Sequence, residues 1–175
     1  MWATERHRIP KSRPFAKPLR YLAPFSSEYG GLSSEGCPPY NFRRMKFDLV
    51  DQILSQSDDT IVTIKQVTQA EEYLGDHFPS FPILPGVLML EAMVQAASRL
   101  CADEGQRLVL GEVKALKFGA MVKPGDRLQC KVNIVKENAD GSFACKGTGT
   151  VLKNDTEETQ TAVAGRFTIR PVRMS

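Results

Sequence analysis

The sequence predicts an α+β fold, one long apolar helix set beside several antiparallel strands. Two observations carry that prediction. The segment "GVLMLEAMVQAASRL" is apolar nearly all round a helical wheel, which marks a helix buried on most of its sides. The chain beyond it alternates apolar and polar residues in short stretches separated by turn sequences, the pattern of half-buried strands. At 175 residues the chain has the length of one domain and enough apolar content, 42%, for a sizeable core.

Residues 1–44 carry 6 of the 11 prolines and show neither helical nor strand periodicity. They hold 8 Lys or Arg against 3 Glu, so the basic excess of the chain lies in this stretch and the remainder is nearly neutral. A composition rich in Pro, Gly and Ser predicts a disordered extension. Three origins fit it: translation starting at Met45, a native disordered arm, or an Arg-rich targeting peptide. The domain proper is taken as residues 45–175.

From Met45 onward each element has a local signature. Phe47, Leu49, Val50, Ile53 and Leu54 recur at helical spacing and predict a short amphipathic helix. "TIVTIKQV" alternates as a strand does. Residues 68–86 form a long irregular connection holding His77, Pro79, Pro82, Pro85 and Gly86, and loops of that length in compact domains are often functional. Pro85 suits the first helical turn, and Gly105 follows the probable helix end. Then come "VLGEVKALKFGAMV", a Pro124-Gly125-Asp126 turn, and a strand with Leu128, Cys130, Val132 and Ile134 on one face. Residues 138–141 make a hairpin turn into "SFACKGTGTVL", and "TQTAVAGRFTIRPV" closes the chain.

Composition also narrows function. A nearly neutral folded part lacks the clustered basic face of a nucleic-acid-binding body. The longest apolar run, residues 83–97, is interrupted by Glu91 and Gln95 and is too short for a membrane span. Cys37, Cys101, Cys130 and Cys145 match no zinc spacing and read as reduced thiols of a cytoplasmic protein.

Two ionisable residues stand out. Glu91 falls mid-helix in the apolar segment, where a carboxylate without a partner is rare. Its alternative is a solvent-facing stripe on a partly exposed helix. Gln95 follows at i+4 and shares its face. Burial disfavours a carboxylate's charged form, which suits general-acid duty. His77, in "GDHFP", is the one histidine of the patterned region and by itself reads as a satisfied loop histidine. The helix start supplies unpaired N–H groups able to hold a polarised carbonyl oxygen, and Gly86 lets a ligand approach that backbone. A base, an acid and an oxyanion site within 15 residues suit proton abstraction α to a thioester followed by β-elimination, although hydrolases combine the same groups.

The stretch "DHFPSFPILPGVLMLEAMVQ" resembles the signature of the FabZ-type 3-hydroxyacyl-acyl-carrier-protein dehydratases of fatty acid synthesis, with every element in register. The similarity runs over residues 45–172 and includes "FDLVDQIL" and "VKPGD". The resemblance implies a hotdog fold, a central helix wrapped by an antiparallel sheet. It implies dimers, often built into hexamers, with each site shared between two subunits. By that likeness His77 takes the C2 proton and Glu91 of the other subunit protonates the departing 3-hydroxyl. The Gly86 amide binds the thioester oxygen, and Gln95 holds Glu91 in position. Phe81, Leu84, Val87 and Leu88 would line an acyl tunnel, though ordinary core packing is the competing reading for each. No metal or redox cofactor is implied. The partner is acyl carrier protein bearing a phosphopantetheine-linked substrate.

Glu rather than Asp at position 91 favours plain dehydration over the bifunctional dehydratase/isomerase type. Two departures from the family pattern are Asp76, where Gly is usual, and "FGAMVKPGD", where basic residues are usual. Carrier-protein docking would then rest on positions such as Lys114, Lys117 and Lys123. A hotdog thioesterase and a non-catalytic assembly subunit are the competing functions, and retention of both His77 and Glu91 speaks against each.

Overall fold

The computed structural model describes residues 47–103, 106–154 and 158–172. The predicted extension, Met45 and Gly105 lie outside the described residues. The elements are β1 (Gln52–Gln56), β2 (Thr60–Gln66), a 3-10 turn (Glu72–Leu74), α1 (Gly86–Cys101), β3 (Leu108–Phe118), β4 (Arg127–Glu137), β5 (Phe143–Leu152) and β6 (Thr159–Pro171). All strand pairs are antiparallel, in one sheet of order β1-β2-β4-β5-β6-β3. This is the α+β hotdog arrangement that the sequence implies.

Period-2 patterning builds the sheet's inner face. Ile61, Thr63, Lys65 and Val67 alternate inward at β2, as do Leu128, Cys130 and Val132 on β4. Phe143, Cys145, Val151, Phe167 and Ile169 complete that face. The helix lays Met89, Ala92, Met93, Ala96 and Ala97 upon it. The sheet bends around the helix through irregularities at residues 53–55, 110–115 and 134–136, where bulges sharpen the local twist. Gly125 and Gly141 adopt φ of 97° and 75°, conformations that a side chain would strain, and they place the two predicted turns.

The helix predicted at residues 47–54 does not form. Residues 47–50 are irregular, and β1 follows as an edge strand. The Asp51 N–H and Phe47 O that would form the first helical bond are both engaged elsewhere, and Phe47 O accepts Gln95 Nε2. Leu49 N–H donates to Gln95 Oε1, Val50 N–H to Asp48 Oδ1, and Asp51 N–H to Ile64 O. A segment this short is marginal as a helix, so such partners outweigh its periodicity. The strand predicted at residues 109–122 also ends early, at Phe118, though Gly119 and Ala120 still donate to Ala162 O and Thr161 O.

Candidate active site

His77 sits in a loop that closes on itself. Its N–H donates to Tyr73 O at 3.1 Å, and Ile83 N–H donates back to His77 O at 2.9 Å. Phe78 and Phe81 exchange backbone bonds of 3.3 and 3.0 Å inside that closure. The His77–Phe78 peptide is cis, and the two rings stack with centroids 4.3 Å apart. The decisive contact is His77 Nδ1 to Ile83 O, 3.0 Å. A carbonyl oxygen only accepts, so Nδ1 carries the proton. In the neutral ring Nε2 then holds the lone pair, as a base requires. Asp76, the family departure, is exposed.

Glu91 is half-buried on α1, on an open stripe with Val87, Gln95 and Arg99 at successive i+4 positions. The helix is therefore not buried nearly all round, as its composition suggests, because the sheet of this chain covers one side only. Gln95 is fully engaged. Its Oε1 accepts Leu49 N–H at 2.8 Å, and its Nε2 donates to Phe47 O and Glu91 Oε1, both at 3.0 Å. Glu91 Oε1 thus accepts an amide hydrogen, so an acidic proton on this carboxyl belongs on Oε2.

Gly86 opens α1 with Pro85 as its N-cap. Pro85 O takes the N–H groups of Leu88 and Met89, so the amides of Gly86 and Val87 point out of the helix end with no acceptor among the described residues. A Cβ at position 86 would lie 2.8 Å from Phe118 Cε1, so the half-exposed ring of Phe118 lies against the Cα of Gly86 beside this amide.

A groove of about 630 Å³ runs along the open stripe, walled by Glu91, Gln95 and Arg99 of α1, by Phe47 and Asp48, and by Leu108 to Leu110 of β3. His77, Gly86, Phe81, Leu84, Val87 and Leu88 do not line it, so Glu91 faces this groove without His77. Leu84 is a core residue whose N–H donates to Val122 O, and Leu88 packs against the core. Phe81 and Val87 are exposed. Lys123 Nζ lies 4.7 Å over the Phe81 ring. Lys117 is exposed, and Lys114 pairs with Glu112 at 3.5 Å.

Sequence reasoning missed Asp48 and Arg99. Arg99 Nη2 donates to both Asp48 oxygens at 2.7 Å, and Asp48 Oδ1 also accepts Val50 N–H. Burial pushes the Asp48 carboxyl up, but Arg99 and the Val50 N–H outweigh it and hold it below its ordinary value. The i+8 spacing of Arg99 from Glu91 was the available signal for one partner; nothing in the sequence indicated the other. A second missed group is the buried Lys65, 2.9 Å from Glu71 and 3.3 Å from Asp51. Tyr73 borders it, its phenol pushed up by burial and then by the Glu71 and Asp51 charges. Cys101, Cys130 and Cys145 are buried thiols outside any disulfide, and burial pushes the Cys130 thiol up to about 12. Among the described residues no cluster of three or more His, Cys, Asp or Glu could hold a metal ion, and no helix is long and apolar enough to cross a membrane.

The frame recurs in solved structures. A dehydratase heterocomplex, ApeI:P, from Xenorhabdus doucetiae superposes with a TM-score of 0.52 at 20% identity, over 69% of this chain and 96% of that one. A Streptococcus mutans protein bound to acetyl-CoA gives 0.55 at 15% identity, over 76% and 96%. These likenesses define the class by fold, a hotdog protein. Sequence carries it further. The ApeI-like family, described as ApeI dehydratase, matches residues 53–156. The 3-hydroxyacyl-[acyl-carrier-protein] dehydratase FabZ of Lactococcus lactis subsp. cremoris strain SK11 is 35% identical over 120 residues, 60% of this chain and 83% of that protein. Its counterpart in Streptococcus pneumoniae strain Hungary19A-6 is 37% identical over 115 residues, 57% and 82%. The chain belongs to the FabZ/ApeI-like dehydratase family and is a dehydratase enzyme.

Proposed function

We propose that this enzyme converts (3R)-3-hydroxyacyl thioesters on acyl carrier protein to trans-2-enoyl thioesters in fatty acid biosynthesis. The FabZ relatives support the substrate class. The observation that carries the mechanism is the Nδ1–H···O bond of His77 to Ile83, which leaves Nε2 unprotonated. Nε2 takes the proton from C2, and the electron pair moves toward the thioester oxygen. The Gly86 amide at the helix N-terminus receives the developing charge. The pair then returns to form the C2–C3 double bond as the C3–O bond breaks. Glu91 Oε2 delivers its proton to the departing hydroxyl, which leaves as water. Proton transfer from His77 back to Glu91 restores the starting state.

The site is shared between two copies of the chain. Glu91 lines the groove and His77 does not, and that groove is bordered by β3, an eleven-residue edge strand exposing Leu110, Val113 and Phe118. A second copy adding along that edge would bring its own His77 loop to Glu91. Higher assembly from such dimers, carrier-protein docking at Lys114, Lys117 or Lys123, and an acyl path past Phe81, Leu84, Val87 and Leu88 extend the same reading.

Mass spectrometry of a 3-hydroxyacyl carrier protein incubated with the enzyme reports loss of water. His77→Ala and Glu91→Gln should each lower turnover by about 10²–10⁴-fold. Co-expressed, the two variants form mixed dimers in which one of two sites is intact, restoring roughly a quarter of wild-type activity. Full activity in either single variant would remove that residue from the mechanism. Absence of rescue would place both groups in one chain.

A further inference from the structure

Residues 47–49 lie across α1 as a strap, and Gln95 joins that strap to Glu91. A primary amide has one oxygen and one NH2 group, and its orientation here is set by the strap. Leu49 N–H needs an acceptor and takes Oε1, which turns Nε2 toward Phe47 O and Glu91 Oε1. Lifted from the strap, the amide could turn over and offer its oxygen to the carboxylate, repelling it. The strap has its own fastening, the two-pronged bond from Arg99 Nη2 to Asp48, whose Oδ1 also caps Val50 N–H. Its other end reaches the histidine loop, since the Phe47 ring meets Tyr73 edge-on at 6.1 Å and Tyr73 O accepts His77 N–H.

We propose that Asp48 and Arg99 are positioning residues for the dehydration. Their ion pair seats residues 47–49 on α1 so that Gln95 presents a donor to Glu91 Oε1, keeping the transferable proton on Oε2. The proposal rests on the reading of Glu91 as the acid. It gives a partly exposed ion pair a role beyond stability, to which pairs of this kind contribute little.

The test uses the full chain acting on a 3-hydroxyacyl carrier protein, with His77→Ala and Glu91→Gln measured alongside. Arg99→Gln and Asp48→Asn should each lower kcat about tenfold, with KM within about twofold and the thermal midpoint almost unmoved, because a small displacement of a catalytic group is costly in rate. The exchange Asp48→Arg with Arg99→Asp rebuilds the ion pair in reverse but not the cap on Val50 N–H, and should recover part of the lost kcat. Unchanged kcat in the single variants, while His77→Ala and Glu91→Gln are inactive, overturns the strap and leaves the site reading intact. So does a rise in KM without change in kcat, which would make Arg99 a substrate contact, or failure of the exchanged pair to recover rate. A fall in kcat that tracks loss of folded protein assigns the pair to stability and overturns the proposal too. Wild-type turnover in His77→Ala or Glu91→Gln instead sinks the site reading on which it depends.

Discussion

Gln95 Nε2 donates to Glu91 Oε1 at 3.0 Å while Gln95 Oε1 accepts the N–H of Leu49, 46 residues earlier in the chain. One side chain therefore ties a helix-borne carboxyl to a backbone segment that forms no helix or strand. Gln95→Ala would leave the N–H of buried Leu49 without an acceptor. An orphaned buried donor costs about 1–3 kcal/mol. Gln95→Glu keeps that acceptor but turns a second carboxylate on Glu91, so it should lose activity as fully as the alanine variant. Chemical denaturation and turnover measured together check this. Wild-type stability in Gln95→Ala would show that water replaces the amide.

Gly86→Ala separates ligand approach from folding. The added methyl would sit 2.8 Å from Phe118 Cε1, but that ring is half exposed and free to swing outward. Its stability cost should stay below about 1 kcal/mol, as for a substitution whose neighbour can move. Turnover should fall much further, because the methyl and the displaced ring crowd the open amide. Gly86→Ala with Phe118→Ala relieves the crowding from the ring and should recover part of the rate. A variant as active as wild type would remove this amide from thioester binding.

Asp48 and Lys65 shape opposite limbs of the pH dependence of stability. The Asp48 limb is small, because its carboxyl is half exposed and screened by solvent. Asp48 is held below its ordinary 3.8, so its contribution is present above that pH and disappears as pH falls through the lower folded value. Burial pushes Lys65 down, but its bonds and charge contacts with Glu71 and Asp51 outweigh burial and hold it above 10.5. Its contribution is complete below 10.5 and is lost as pH rises through the folded value. Urea midpoints should show a plateau between these limbs. Asp48→Asn should flatten the acid limb and Lys65→Met the alkaline one; an alkaline limb unchanged in Lys65→Met would discharge the lysine from this role.

The parts of the fold that were legible in the sequence are those set by neighbours in the chain. Leu128, Cys130 and Val132 alternate because β4 has one face on the core, and Gly125 and Gly141 mark turns because they take positive φ. The predicted helix over 47–54 failed because Asp51 N–H and Phe47 O, its first bonding pair, go to Ile64 O and Gln95 Nε2. β1 was hidden because it is exposed on both faces and has no alternation to read. At the site, Glu91 and Gln95 declared themselves by spacing on one helix. The tautomer of His77, the ring over Gly86 and the Arg99–Asp48 bond depend on atoms brought together by folding, and local pattern carries no trace of them.

Gly147 tests how closely the helix rests on the sheet. A Cβ there would lie 2.5 Å from Met93 Sδ and 3.1 Å from Phe167 Cε1. Met93 and Phe167 are both buried, so neither can move aside as Phe118 can. Overpacking a closed contact typically costs about 1–3 kcal/mol, which is the expected loss for Gly147→Ala. Met93→Ala alone should cost about 2–5 kcal/mol by leaving a cavity. Combined, the added methyl occupies part of the space that the sulfur vacates, so the double variant should be more stable than the two losses added together. The difference, read from urea denaturation of all four proteins, measures their coupling directly. Strict additivity would mean that the helix can lift from β5 at no cost, and the close seating of α1 on this strand would then be no determinant of stability.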